Sequence, residues 1–217
     1  MRTALALMIG CMLLTAANCH AASPDTSLLW QLVNGENIRD LRNHCATRCD
    51  FNFHDPASGK TPVLRAIENF HLFMLTYLLA NGADPNLPDA WGEPAAVYAI
   101  QRDDSRPLAR LLAGGANPNA VDRNGLPVLL LAIQQKKLMH VRLLLAAGAK
   151  ANLRDNEGKT ALMYAIETRS VDLVQVMLDA GAKTEAVDRN GVSLQQLAAK
   201  LDMLTALRKS GPAGVRP

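Results

Sequence analysis

The sequence predicts an all-α solenoid, built from short helix–turn–helix units stacked along one axis. Three observations carry that prediction. Glycines recur at Gly59, Gly92, Gly125, Gly158 and Gly191, each 33 residues after the last. Gly82, Gly115, Gly148 and Gly181 keep the same step, and alanine follows each of them. A third register, Ala66, Ala99, Ala132, Ala165 and Ala198, carries isoleucine after its first four members. Self-similarity at a fixed period of this length marks a repeat architecture, in which no unit buries its own helices and each leans on its neighbours. Composition agrees. The chain is 49% hydrophobic but only 4% aromatic, so its core must be Leu, Ala, Ile and Val, and the first two are good helix formers.

The contents of a unit explain the period. In Asp155-Asn156-Glu157-Gly158 the glycine supplies positive φ, and the aspartate folds back onto its own backbone, which is turn chemistry. Thr160 then caps a helix, and in the first copy Thr61-Pro62 places an N-cap before a proline at the first helical position. Leu162, Ala165 and Ile166 form an i, i+3, i+4 stripe, and a second stripe follows at Leu173, Val174, Met177 and Leu178. Gly181 suits the left-handed end of that second helix. The recurrent alanine marks a place where backbones approach. A leucine there would overpack the stack, at about 1–3 kcal/mol.

These residues resemble a known family. Gly59-Lys-Thr61-Pro62-Val-Leu64-Arg-Ala66, Leu78-Leu79-Ala80-Asn81-Gly82-Ala83-Asp84-Pro85-Asn86 and Asp155-Asn-Glu-Gly158-Lys-Thr160-Ala-Leu162 look like the ankyrin repeat. The resemblance covers roughly Asp55 to Leu207. It implies two antiparallel helices per unit and short β-hairpin fingers along one edge. It also implies a partner face formed by the finger tips and the exposed side of the first helices. The sequence departs from the family at two kinds of place. Pro94 and Pro127 stand where Thr61 and Thr160 do, so units two and three lose the hydroxyl cap, worth about 1 kcal/mol. Between the helices, where the family has glycine, stand Phe70, Asp103, Lys136 and Arg169, so the helix turn is expected to be built differently.

Both ends differ from the repeats. Residues 23–54 lack the turn signature but carry Leu28, Leu29, Leu32, Val33, Ile38 and Leu41, and are expected to form an N-terminal helical cap. Residues 55–209 hold four repeats and a C-terminal capping repeat, whose second helix carries Leu201, Leu204 and Leu207. Residues 210–217 are expected to be a disordered tail. Residues 1–22 read as a secretory signal peptide: Arg2, an apolar stretch from Ala4 to Ala17, then Ala21 and Ala22. Cleavage near Ala21 or Ala22 would deliver the chain to the periplasm or outside the cell. A second route would lipidate Cys19, although Asn18 is an unusual neighbour for that processing. The apolar stretch is shorter than the roughly 20 residues that span a bilayer, so no integral span is expected in the mature chain.

Export gives the cysteines a meaning. Cys11 and Cys19 leave with the signal segment, and Cys45 and Cys49 remain as a pair in an oxidising compartment. Four residues apart on one helix, they lie within reach of a disulfide, which would fix the last turn of the cap. So short a loop is worth about 2 kcal/mol. The pair lacks the Cys-x-x-Cys spacing of redox sites. Neither it nor the group His44, Cys45, Cys49 and His54 has the spacing of a zinc finger.

No serine-hydrolase, metalloprotease or phosphate-loop motif is present, so no catalytic residue, cofactor or metal is expected. The recurring Asp122, Asp155 and Asp188 read as turn residues. A formal charge of +3, without basic clusters interleaved with aromatics, leaves nucleic-acid binding no electrostatic drive. What remains is a surface. The candidate contacts on it are Trp91, Arg102, Arg123, Asn124, Glu157 and Arg189, since Trp and Arg are favoured at binding hot spots. Trp91 has a second reading, as packing against the neighbouring finger. The expected function is a monomeric, non-enzymatic protein-binding module outside the cytoplasm. The alternatives are an inhibitor or immunity protein that neutralises a toxin or enzyme, and a redox or stress-protective role through Cys45 and Cys49.

Overall fold

The computed structural model describes residues 24–45 and 49–208. The expected signal segment and C-terminal tail lie outside the described residues. Among the described residues twelve helices follow one another in pairs. The N-terminal pair is α1 (Pro24–Asn34) and α2 (Ile38–His44). The five units are α3 (Pro62–Glu68) with α4 (Leu72–Ala80), α5 (Ala95–Gln101) with α6 (Arg106–Ala113), α7 (Val128–Gln134) with α8 (Leu138–Ala146), α9 (Ala161–Glu167) with α10 (Val171–Asp179), and α11 (Leu194–Lys200) with α12 (Leu204–Arg208). First helices pack on first helices and second on second, so the molecule is two parallel rows of helices.

The recurrent alanines sit where those rows close. Ala66 is 1% exposed, and Ala99, Ala132, Ala165 and Ala198 are fully buried. Each is flanked by fully buried isoleucine or leucine from its own unit, among them Ile67, Ile100, Ile133 and Ile166. At the head of the stack, Leu29, Val33 and Leu41 bury the inner side of the cap. Trp30 meets Phe53 edge-on, with the Arg65 guanidinium over its ring, and so ties α1 to the first unit.

Helix starts follow the local chemistry. Thr61 and Thr160 accept the Leu64 and Met163 N–H groups at 3.3 Å, whereas Pro94 and Pro127 make no side-chain cap. Ser193 forms a full capping box with Gln196.

Four expectations need correction. Among the described residues the fingers contain no paired strands. Three of them are closed by a single antiparallel bridge, Val121 to Pro127, Arg154 to Thr160 and Val187 to Ser193, because five intervening residues leave room for a turn and little ladder. The α2 helix ends at His44, so Cys49 lies beyond it rather than on its last turn. Leu201 caps the end of α11 and does not enter the last helix. The helix turn is not rebuilt for want of glycine. Phe70, Lys136, Arg169 and Asp202 adopt the left-handed conformation themselves, with φ between 56° and 60°, a strain of roughly 1–2 kcal/mol per residue. Unit two is the exception: Arg102 leaves α5 in an extended conformation, and Asp103 is not left-handed.

Candidate partner-binding face

Each finger is organised by one carboxylate. Asp89, Asp122, Asp155 and Asp188 accept two backbone N–H groups apiece, from the residues two and four positions on, at 2.8–2.9 Å. These are Asx turns, so the recurring aspartates are occupied by structure. In the first finger Asp55 stands one residue farther from its glycine and accepts instead from Ser58, through both N–H and hydroxyl.

The carboxylates also tie the fingers to the first helices. Tyr98 donates to Asp89 at 2.7 Å and Tyr164 to Asp155 at 2.8 Å. Burial, with those bonds to an anion, holds both phenols well above their usual range. Lys60 and Lys159 lie over the Tyr98 and Tyr164 rings and pair with Glu68 and Glu167. The Glu167 bond raises the Lys159 pKa. Glu93 lies half-buried between fingers two and three. Burial first, then Asp122, raises its carboxyl pKa, while Arg123, 3.6 Å away, opposes the rise.

Between fingers and helices runs a shallow groove. Tyr98, Leu131, Tyr164 and Leu197 occupy one register of successive first helices and are half-buried along it. A depression of about 570 Å³ lies between units four and five over Met163, Val192 and Leu197, flanked by Lys159, Lys200 and Asp188. A smaller depression beside it is lined by Asn124, Leu126, Glu157 and Tyr164.

The six candidate contacts fall into two groups. Trp91 is 60% exposed, and its ring edge lies against Gly59 of the preceding finger, 3.3 Å from where a Cβ there would stand. Part of the ring is therefore packed against the neighbouring finger, and the larger part is open. Arg123, Asn124, Glu157 and Arg189 are exposed on successive fingers. The fingers are laced to one another by the Asn156 side chain on the Asn124 carbonyl at 3.2 Å and by the Arg189 N–H on the Glu157 carbonyl at 2.9 Å. Arg102 is different. Its guanidinium donates to the Glu68 carbonyl, so it bolts unit two to unit one. Cys45 and Cys49 stand apart from this face, with Cα atoms 5.2 Å apart and their sulfurs joined. His54 Nε2 lies 2.9 Å from the Pro88 carbonyl. Among the described residues no three His, Cys, Asp or Glu side chains converge on a metal site, and no helix is long and apolar enough to cross a membrane.

Sequence reasoning missed a second ladder. Asn52, Asn86, Asn119 and Asn152 each donate from Nδ2 to the glycine carbonyl of the next unit, at Gly82, Gly115, Gly148 and Gly181, at 3.1–3.5 Å. Each also accepts, through Oδ1, the N–H of Asp84, Asn117, Lys150 or Lys183 at 2.6–2.8 Å. The signal was available, since Asn86, Asn119 and Asn152 keep the 33-residue step. The buried His140 and the tyrosine–aspartate pairs were missed as well.

Two rows of short helices, fingers pinned by aspartate and a side-chain ladder between units define a helical repeat scaffold. The sequence profile described as ankyrin repeats (3 copies) matches residues 12–122 and 96–188, and the chain belongs to the ankyrin-repeat family. Ankyrin repeats are protein–protein interaction modules. No curated protein sequence matches the chain significantly. Among solved structures it is similar to an ankyrin-repeat domain from Acinetobacter baumannii AYE, at 24% identity and a TM-score of 0.76, over 86% of this chain and 98% of that one. It is also similar to the ankyrin-repeat domain of Bcl-3, described as a unique member of the IkappaB family. The identity there is 25% and the TM-score 0.72, over 87% of this chain and 86% of that one.

Proposed function

We propose that this chain is a non-enzymatic binding module that, as a monomer, holds one protein partner in the groove between its fingers and first helices. The reading is carried by one observation: a half-buried register, Tyr98, Leu131, Tyr164 and Leu197, recurs on successive first helices, and the neighbouring fingers carry exposed side chains, among them the 60% exposed Trp91. Apolar and aromatic surface ringed by polar fingers is the composition of an interface centre with its rim. Arg123, Asn124, Glu157 and Arg189 supply the rim, and Arg102 holds two units in register beneath it.

The proposed setting is the periplasm or the extracellular space. The signal-like segment at residues 1–22 supports it, as does the pairing of Cys45 with Cys49 as a staple on the N-terminal cap. Affinity capture of the mature chain from its own cell envelope tests the reading. A partner retained by the wild type and lost with Trp91→Ala or Arg123→Ala is the expected result. Recovery of no specific partner under mild conditions, or capture indifferent to both substitutions, would overturn it.

A further inference from the structure

The α5–α6 turn is the irregular one. In units one, three and five the carbonyl of the recurrent alanine is closed by the backbone N–H of the residue after the left-handed one. His71 donates to Ala66 at 2.8 Å, Lys137 to Ala132 at 3.0 Å and Met203 to Ala198 at 2.8 Å. In unit four the Thr168 hydroxyl donates to Ala165 at 2.7 Å. In unit two the chain departs extended at Arg102, whose N–H reaches the Ala99 carbonyl at a long 3.3 Å.

Two side chains of unit three, from the N-cap of α8 and from α8 itself, reach back to this loose end. Lys137 Nζ donates to the Gln101 carbonyl at 3.0 Å and the Arg102 carbonyl at 2.7 Å, and stands 3.2 Å from the Asp103 carboxylate. His140 is 2% exposed, and the carbonyls of Ala99 and Asp104 face its ring. Its Nε2 is buried with no partner. The same register of the other second helices holds Met74, Pro107, Leu173 and Ala206, all buried. An imidazole in an apolar core position, facing backbone carbonyls of the neighbouring unit, is thus specific to the junction of units two and three.

We propose that His140 and Lys137 form an inter-unit latch that holds the α5–α6 turn closed while the imidazole is neutral and releases it on acidification, loosening the binding face where units two and three meet. The effect on binding rests on the function proposed above; the latch itself does not. Protonation would place a second proton on Nε2, where no acceptor waits. The charges in the elements around the ring are Lys136, Lys137 and Arg142 in and beside α8, Arg102, Asp103 and Asp104 in the turn, Arg106 and Arg110 on α6, and Asp172 and Asp179 on α10. Arg106 is taken up by Asp104 at 2.7 Å, and Arg110 donates to Thr76 at 2.7 Å. Burial, then Lys137, opposes the proton. The two carbonyls and Asp103 favour it, and the balance lowers the His140 pKa.

The direction of the pH effect follows. With the turn open and solvated the imidazole takes its proton near pH 6.5, and in the latched form only below that. The latch is at full strength above about pH 6.5 and weakens as the pH falls, by at most about tenfold per unit, until the latched form also protonates.

Hydrogen exchange on the full mature chain tests this, as protection factors at about pH 7.5 and about pH 5.5. Amides of residues 98–106 should lose protection at the lower pH, by up to about tenfold per unit through the window, while those of α9 and α10 hold theirs. His140→Leu, which copies the residue at the same register in α10, should abolish the response. A NMR titration of the His140 ring in the wild type gives a second readout, expected below the ordinary histidine range. Protection of residues 98–106 that ignores pH, the same response in His140→Leu, or a His140 ring titrating at its ordinary value would overturn the latch. Exchange is read without a partner, so failure to capture one leaves this test intact, and failure here leaves the capture result standing.

Discussion

Removing Asn86 should cost more than removing its counterpart one unit on. Asn86 Oδ1 accepts the Asn117 N–H at 2.7 Å and its Nδ2 donates to the Gly115 carbonyl at 3.1 Å, so Asn86→Ala deletes two well-formed bonds between units one and two. Each intramolecular bond is worth about 0.5–1.5 kcal/mol net. Water reaches the exposed backbone groups left behind, so no full desolvation cost is added. The expected loss is about 2 kcal/mol. At Asn119 the Lys150 N–H is 2.8 Å away but the Gly148 carbonyl is at 3.5 Å, the limit of a hydrogen bond, so Asn119→Ala should lose about 1 kcal/mol. Asn86→Asp keeps the acceptor and drops the donor, and should fall between Asn86→Ala and wild type. Urea unfolding followed by circular dichroism orders the variants. An Asn119→Ala loss equal to that of Asn86→Ala, or an Asn86→Ala variant within a few tenths of a kcal/mol of wild type, would refute the ladder as a source of stability.

Three further outcomes are expected. Opening the Cys45–Cys49 link, by reduction or as Cys45→Ser with Cys49→Ser, should destabilise the N-terminal cap by about 2 kcal/mol. Trp30 fluorescence in a Trp91→Phe background reports it, and free thiols at Cys45 and Cys49 in the oxidised chain would exclude the link outright. Arg169→Gly should raise stability by up to about 1 kcal/mol in thermal melts, because glycine occupies the φ of 56° without the strain a Cβ brings. A fall would show that the arginine side chain contributes more than the strain costs. Ala132→Leu should lower stability by about 1–3 kcal/mol, measured by calorimetry. A neutral result would mean the helix rows have room that the buried alanines do not suggest.

Most of the fold was legible because the repeat states its own geometry several times. A glycine at one position suggests little; five at one step fix a turn, and the apolar stripes between them fix the helices. The candidate face was legible only as positions. Register put Trp91, Arg123 and Arg189 on the fingers, but it could not tell Arg102, spent on the Glu68 carbonyl, from an arginine free to meet a partner, because that distinction depends on where a carbonyl of another unit lies. The helix turn was misjudged for a similar reason. Residue type argued against a left-handed turn at Phe70, Lys136 and Arg169, and packing on both sides imposed it. His140 is not legible because a lone histidine in an apolar stripe carries no local sign of the neighbouring unit's carbonyls that it faces.

The asparagine ladder has a cost that its regularity hides. Units that present the same donors and acceptors to one another can dock out of order, since a strand of chain one repeat early or late finds nearly the same bonds waiting. The first finger, with Asp55 set one residue farther from its glycine, breaks that equivalence at one end of the array. The α5 terminus, which finds Lys137 and His140 only on α8, breaks it in the middle. These irregularities act as addresses: they let a chain of near-identical parts recognise which neighbour is the correct one while it folds.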